Sequence, residues 1–166
     1  MLDDALLQSA NALGLHLQQR GLVLSCAESC TGGLLAGSVT AIAGSSAWFD
    51  RGFVTYSNEA KHDHLGVSLA TLQQFGAVSP ETAREMAQGV LVASPVSHVA
   101  VSTTGIAGPG GATPGKPVGL VCFGFARRTP QGMAVHVESR QFPGDRAQVR
   151  QAAVQFALDE LLRLLA

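Results

Sequence analysis

The sequence predicts an α/β domain in which helices cover both faces of a mixed sheet. Three observations lead there. Strand-like and helix-like segments alternate through the first two thirds of the chain. Two strand candidates near the end are joined by a short turn and so pair as an antiparallel hairpin. No linker, repeat or shift in composition divides the 166 residues, so one domain over 1–166 is expected.

The elements follow in order. Leu2, Leu6, Leu13 and Leu17 recur at helical spacing through residues 3–19, and Gly21 closes that helix. Gly21 to Cys26 reads as a short buried strand, and the Ala/Leu-rich segment Thr31 to Ile42 as a helix. Arg51 to Tyr56 is β-branched and aromatic, which suits a second strand. Ser57-Asn58-Glu59 starts another helix, with a capping group followed by a carboxylate in the first turn. Gly76 punctuates, and Ser79-Pro80-Glu81 opens a helix whose Ala83, Met86, Ala87 and Val90 share a face. His98 to Ser102 is a third strand, and a glycine-rich segment follows it. Val118–Ala126 and Ala134–Phe142 form the hairpin, turning at residues 127–132. Asp145 with Gln148 makes a capping box for a last helix, whose apolar side carries Val149, Ala153, Phe156 and Leu164.

Composition removes several classes of function. Hydrophobic residues at 46% against 14% charged suit a folded globular protein rather than a disordered one. A net charge of −1 offers no electrostatic footprint for nucleic acid or an anionic membrane. The three cysteines at 26, 30 and 122 are odd in number and lack a C-x-x-C pair, so neither a disulfide scaffold nor a zinc ribbon is expected. A reducing compartment fits them. The acidic start Met1-Leu2-Asp3-Asp4 is unlike a secretory signal, and no apolar run is long enough to span a bilayer. The expected location is the cytoplasm.

The glycine-rich segment contains a decoy. Gly110 to Lys116 has the G-x-x-x-x-G-K spacing of a P-loop, but Pro117 replaces the Ser or Thr that would hold magnesium. A β-rich run follows where that loop needs a helix. What remains is Gly105, Gly108, Gly110 and Gly111 just past a strand, where backbone N–H groups can form an anion nest. A plain glycine-rich connection is the alternative. Lys61 falls in or just after the first turn of its helix, where the macrodipole disfavours a cation by roughly 0.3–1 kcal/mol. Added to burial, the same field would favour the neutral amine that a general base needs, although surface lysines are far commoner. Arg146 and Arg150 share a helix face near an N-terminus, either as a phosphate clamp or as a salt-bridged surface. His62-Asp63-His64 places its histidines on different sides of a helix with no third ligand, so no metal site is expected.

The stretch AESCTGG, residues 27–33, lies where a strand hands over to a helix. Ser29 or Thr31 could be the N-cap, the commonest role for such residues. A nucleophile here would have free backbone N–H groups beside it to hold an oxyanion. The residues alone leave serine, cysteine and cap all open.

Taken together, AESCTGG, AGSSAWFDRGFVTYSNEAK (43–61), GAVSPETA (76–83), STTGIAGPGG (102–111), KPVGLV (116–121) and FPGDRAQVR (142–150) are similar to the CinA carboxyl-terminal domain family, in order and over nearly the whole chain. The resemblance implies a three-layer α/β/α sandwich with a mixed, mostly parallel sheet. It implies hydrolysis of the carboxamide of nicotinamide mononucleotide (NMN) to nicotinate mononucleotide and ammonia, with no metal and no cofactor. The catalytic set it implies is Ser29 as nucleophile, Lys61 as base and Tyr56 to orient or relay the proton. N–H groups around Cys30 and Thr31 would hold the oxyanion. Gly105, Gly108, Gly110, Gly111 and Arg146 would receive the ribose phosphate, and Gly32 and Gly33 would leave room for substrate. Glu28, Asn58 and Thr104 complete the expected substrate-binding set. A homo-oligomer whose interface borders the glycine loops stays open. The extra amino-terminal domain of longer CinA proteins is not expected, and activities resting on it do not transfer. The rival expectation is a non-enzymatic, competence-related interaction module.

Overall fold

The structure, a computed structural model, describes residues 2–166. Helices α1 (Asp4–Arg20), α2 (Leu34–Thr40), α3 (Asn58–Leu65), α4 (Leu69–Phe75), α5 (Pro80–Ala93) and α6 (Arg146–Leu165) surround strands β1 (Leu24–Glu28), β2 (Phe49–Val54), β3 (Val99–Gly105), β4 (Leu120–Thr129) and β5 (Gly132–Gln141). The strands form one sheet in the order β2-β1-β3-β4-β5. β1 pairs in parallel with β2 and β3, and β4 is antiparallel to both β3 and β5. Only β4 therefore runs against the other strands. The expected mixed, mostly parallel sheet holds in that sense.

Side-chain alternation along the strands divides the interior into two layers. Leu24, Cys26, Val99, Val101, Val121, Phe123 and Phe125 meet α1, α2 and α6 through Leu6, Leu13, Leu17, Leu35, Val154 and Leu158. On the other face Ala27, Ala100 and Ala126 meet Leu65, Leu72, Met86 and Val90 of α3, α4 and α5. Small residues on this face let α5 come close. A Cβ at Gly124 would stand 2.3 Å from Ala83 O, and Ser102 Oγ donates to the same carbonyl at 2.6 Å.

Several elements begin or end elsewhere than expected. β1 extends to Glu28, so the AESCTGG turn starts at the serine. α2 begins only at Leu34, because Gly32 and Gly33 adopt φ of +56° and +98° and Thr31 lies in the turn before them. The segment after Ser57 is two helices, separated by Gly66 in the left-handed region as the C-cap of α3. Gly21 closes α1, Ser79 caps α5, and the Asp145–Gln148 capping box opens α6, all as expected. Among the described residues no helix is long and apolar enough to cross a membrane.

The chain leaves β1 through α2 to reach β2 on one side, and β3 lies on the other side. This reversal of strand order opens a crevice at the carboxyl ends of the parallel strands. Ser29, Thr55–Tyr56 and Thr104–Gly105 all lie at that end of the sheet.

Candidate active site

A cavity of about 280 Å³ sits in this crevice, lined by Ser29, Cys30, Tyr56, Lys61, Ala77, Val78, Thr104, Ile106, Ala107, Arg146 and glycines 105, 108, 110 and 111. Ser29 is held at its base. Its N–H donates to Thr103 O at 3.0 Å as the chain leaves β1, and its side chain is 8% exposed. Lys61 reaches it from the first turns of α3, which Ser57 caps by accepting from Ala60 N–H at 3.0 Å. The Lys61 side chain is 0% exposed and makes no ion pair among the described residues. Its Nζ lies 2.9 Å from Ser29 Oγ, 2.9 Å from Thr55 O and 3.1 Å from Tyr56 O.

This geometry suits both protonation states. A charged Nζ donates all three protons to the three oxygens. A neutral Nζ keeps two N–H bonds for the Thr55 and Tyr56 carbonyls, which aims its lone pair at the Ser29 hydroxyl. Burial lowers the Lys61 pKa from 10.5 to about 8. A substantial fraction of the amine is therefore neutral near physiological pH, as a general base requires.

Cys30 lines the cavity too, but its thiol is pushed up to about 11, first by burial and also by Glu28. Its own backbone N–H and the Lys61 and Arg150 charges pull the other way without prevailing. The thiolate is the reactive form of cysteine, so this burial works against Cys30 as a nucleophile.

Tyr56 enters the site mainly through its backbone. Its carbonyl accepts from Lys61 Nζ and, at 3.3 Å, from Ser29 Oγ. Tyr56 is 60% exposed, and its phenol oxygen accepts from Arg146 Nη2 at 3.1 Å, with no hydrogen bond to Ser29 or Lys61 among the described residues. The orienting part of the expected role thus falls to the carbonyl, and the proton-relay part has no contact behind it here. Arg146 also donates through Nη1 to Gly108 O at 2.9 Å, tying the glycine loop to the start of α6.

One expected substrate contact is corrected, that of Glu28. Its side chain and that of Thr31 are buried, which leaves Thr31 only its backbone N–H for the expected oxyanion role. The Glu28 carboxylate accepts from Thr31 Oγ1 at 2.7 Å, Leu35 N–H at 2.8 Å and Ala36 N–H at 3.0 Å, while Thr31 Oγ1 also meets Thr103 Oγ1 at 2.7 Å. The N-cap position of α2 is Gly33, without a side-chain bond, and the strand carboxylate supplies the acceptor that Ser29 or Thr31 was expected to give. Gly32, Gly33 and Asn58 lie outside the cavity lining. Thr104 lines it, but its hydroxyl donates to Ala77 O at 2.8 Å.

The glycine loop, whose Gly108–Pro109 peptide is cis, lines the same cavity as Ser29. The next element after Lys116 is β4, not the helix a P-loop needs, and the Lys116 amine donates to Phe75 O, so the P-loop spacing is a decoy. His62 Nδ1 lies 2.9 Å from Val67 O, in a local helix-end contact. The apolar wall of Ala77, Val78, Ile106 and Ala107 had no sequence signal, since isolated small apolar residues in loops look like ordinary core.

Fold and site together define a three-layer α/β/α protein whose sheet-end cleft pairs a serine hydroxyl with a buried lysine amine. The chain belongs to the CinA C-terminal domain family, whose model matches residues 7–165. It is 56% identical over 151 residues to the nicotinamide-nucleotide amidohydrolase PncC of Enterobacter agglomerans, covering 91% of this chain and 90% of that protein. It is 52% identical to a putative competence-damage inducible protein of Caldicellulosiruptor saccharolyticus, with 90% of this chain covering 35% of that longer protein. The crystal structure of competence/damage inducible protein CihA from Agrobacterium tumefaciens superposes with a TM-score of 0.91 at 47% identity, over 99% of this chain and 98% of that one.

Proposed function

We propose that the chain is an amidohydrolase that deamidates NMN to nicotinate mononucleotide and ammonia, in pyridine nucleotide salvage in the cytoplasm. The observation that carries the chemistry is the 2.9 Å contact between Ser29 Oγ and the ion-pair-free amine of Lys61. The similarity to the Enterobacter amidohydrolase supports the substrate.

Neutral Lys61 takes the Ser29 proton as Oγ attacks the carboxamide carbon, forming the O–C bond and moving the carbonyl electron pair onto oxygen. The adjoining pyridinium polarises that carbonyl, so a modest nucleophile suffices. The tetrahedral oxyanion needs donors, and Cys30 and Thr31 N–H groups, which no protein oxygen accepts among the described residues, are available for it. Collapse breaks the C–N bond, and Lys61 returns its proton to the leaving nitrogen, giving ammonia and an acyl-serine. Water, deprotonated by Lys61, releases the nicotinate product and restores Ser29. On this reading the substrate's phosphate meets Arg146 and the glycine loop and its ring meets Val78 and Ile106, all of which line the cavity.

The test is ammonia release from NMN by the purified chain. Wild type turns over and Ser29→Ala remains at the blank. Equal rates for the two proteins, or none for wild type, defeat this reading.

A further inference from the structure

We infer that Arg150 is a positioning residue for the reaction at Ser29: it orients and polarises the Cys30–Thr31 peptide, whose N–H is one of the donors offered to the oxyanion. The inference rests on the reading of Ser29 as nucleophile.

Arg150 projects from the early part of α6. Its Nε donates to Cys30 O and its Nη2 to Thr31 O, each at 3.1 Å. Among the described residues it makes no ion pair with a carboxylate, so its fork is given to two successive main-chain carbonyls. It does not face the substrate cavity. It lines a separate groove with Leu2, Leu6, Leu34, Ala147 and Gln151.

In a trans peptide the C=O and N–H point in opposite directions. A guanidinium holding Cys30 O therefore turns the Thr31 N–H away from itself. The next peptide is fixed at both ends, because Thr31 O is held by Arg150 while Gly32 N–H donates to Ser29 O at 3.0 Å. Among the described residues no protein oxygen accepts the N–H groups of Cys30 and Thr31, directly after the nucleophile. A charged donor on the carbonyl also draws electron density through the amide and makes its N–H a stronger donor. Gly32 fits the same purpose. A Cβ there would stand 3.3 Å from Arg150 Nη2, and its φ of +56° disfavours any side chain. Gly32 therefore makes room for the guanidinium, not for substrate.

The experiment compares wild type, Arg150→Ala and Arg150→Lys by steady-state kinetics on NMN, by the rate of Ser29 labelling with an alkyl fluorophosphonate, and by thermal melting. In that labelling Oγ attacks phosphorus, fluoride leaves, and the phosphoryl oxygen occupies the oxyanion position without any need for NMN. Folded Arg150→Ala should lose about 10- to 100-fold in both kcat and labelling rate, with KM changed less than about threefold. Arg150→Lys, which keeps the charge but loses the fork, should recover part of both rates. Wild-type kcat and labelling in folded Arg150→Ala would overturn the inference, as would a loss carried entirely by KM. If Arg150→Ala does not fold, Arg150→Lys decides alone, and unchanged kcat and labelling in it count against the proposal. Wild type that is labelled at Ser29 yet leaves NMN intact refutes the substrate reading, and labelling then decides the role of Arg150. Wild type inert in both assays refutes both.

Discussion

At the scale of single residues, the choice between Ser29 and Cys30 rests on what burial does to each group. Burial suppresses the thiolate that cysteine chemistry needs, with the Cys30 pKa near 11, and it also suppresses the ammonium of Lys61, with the pKa near 8. The same burial thus works against a cysteine nucleophile and, under the proposed mechanism, favours the neutral Lys61 amine. Cys30→Ala should keep kcat within about threefold of wild type, whereas Ser29→Ala should lose at least about 1,000-fold. A Cys30→Ala loss as deep as that of Ser29→Ala would reverse the choice. Lys61→Ala should cost about 100- to 10,000-fold in kcat. Lys61→Arg should not recover it, because a guanidinium stays charged and cannot accept the proton. Since the base must be neutral, kcat/KM for NMN should rise with pH and level off above a midpoint near 8. A flat profile from pH 6 to 9 would remove Lys61 from the proton transfer.

At the scale of elements, the β1–turn–α2 unit shows what was legible in the sequence and what was not. A strand handing over to a helix at AESCTGG could be read from the change of pattern and the paired glycines. The cap could not. Sequence rules look for the acceptor within a residue or two of the helix start, but here it comes from Glu28 at the end of the strand, bonding seven and eight residues ahead. Such a contact depends on how the turn folds back, and composition carries no trace of it. Likewise Ser57 and Ser79 were legible as local caps, whereas Thr55 entered the site through a carbonyl that every residue has. Lys61 showed through its misplaced charge on a helix, and Ala77 and Val78 showed through nothing. Glu28→Ala should destabilise the fold by about 2–4 kcal/mol in urea unfolding, because it leaves the Leu35 and Ala36 N–H groups without their acceptor and takes one partner from the Thr31 hydroxyl. A change below about 0.5 kcal/mol would mean that the carboxylate is not what holds α2.

At the scale of the whole molecule, the strand order places the site. β1 sits between β2 and β3, so the turn after β1, the link after β2 and the glycine loop after β3 converge on one crevice. Stability and activity are then linked through Lys61. Its pKa is lower in the folded state than in the unfolded one, so the unfolded chain binds more protons between pH 8 and 10.5. Folding stability should therefore rise with pH across that window, by about 3 kcal/mol relative to a Lys61→Met variant, with no such gain below pH 7. Parallel stability curves for the two proteins across the window would contradict a depressed lysine. Whether Ser29 carries the acyl group is decided by mass spectrometry of enzyme quenched in acid during turnover of NMN. The account predicts a transient adduct of substrate less ammonia on the peptide bearing Ser29, absent in Ser29→Ala and present in Cys30→Ala. An adduct on Cys30, or steady turnover by Ser29→Ala with no adduct at all, would contradict it.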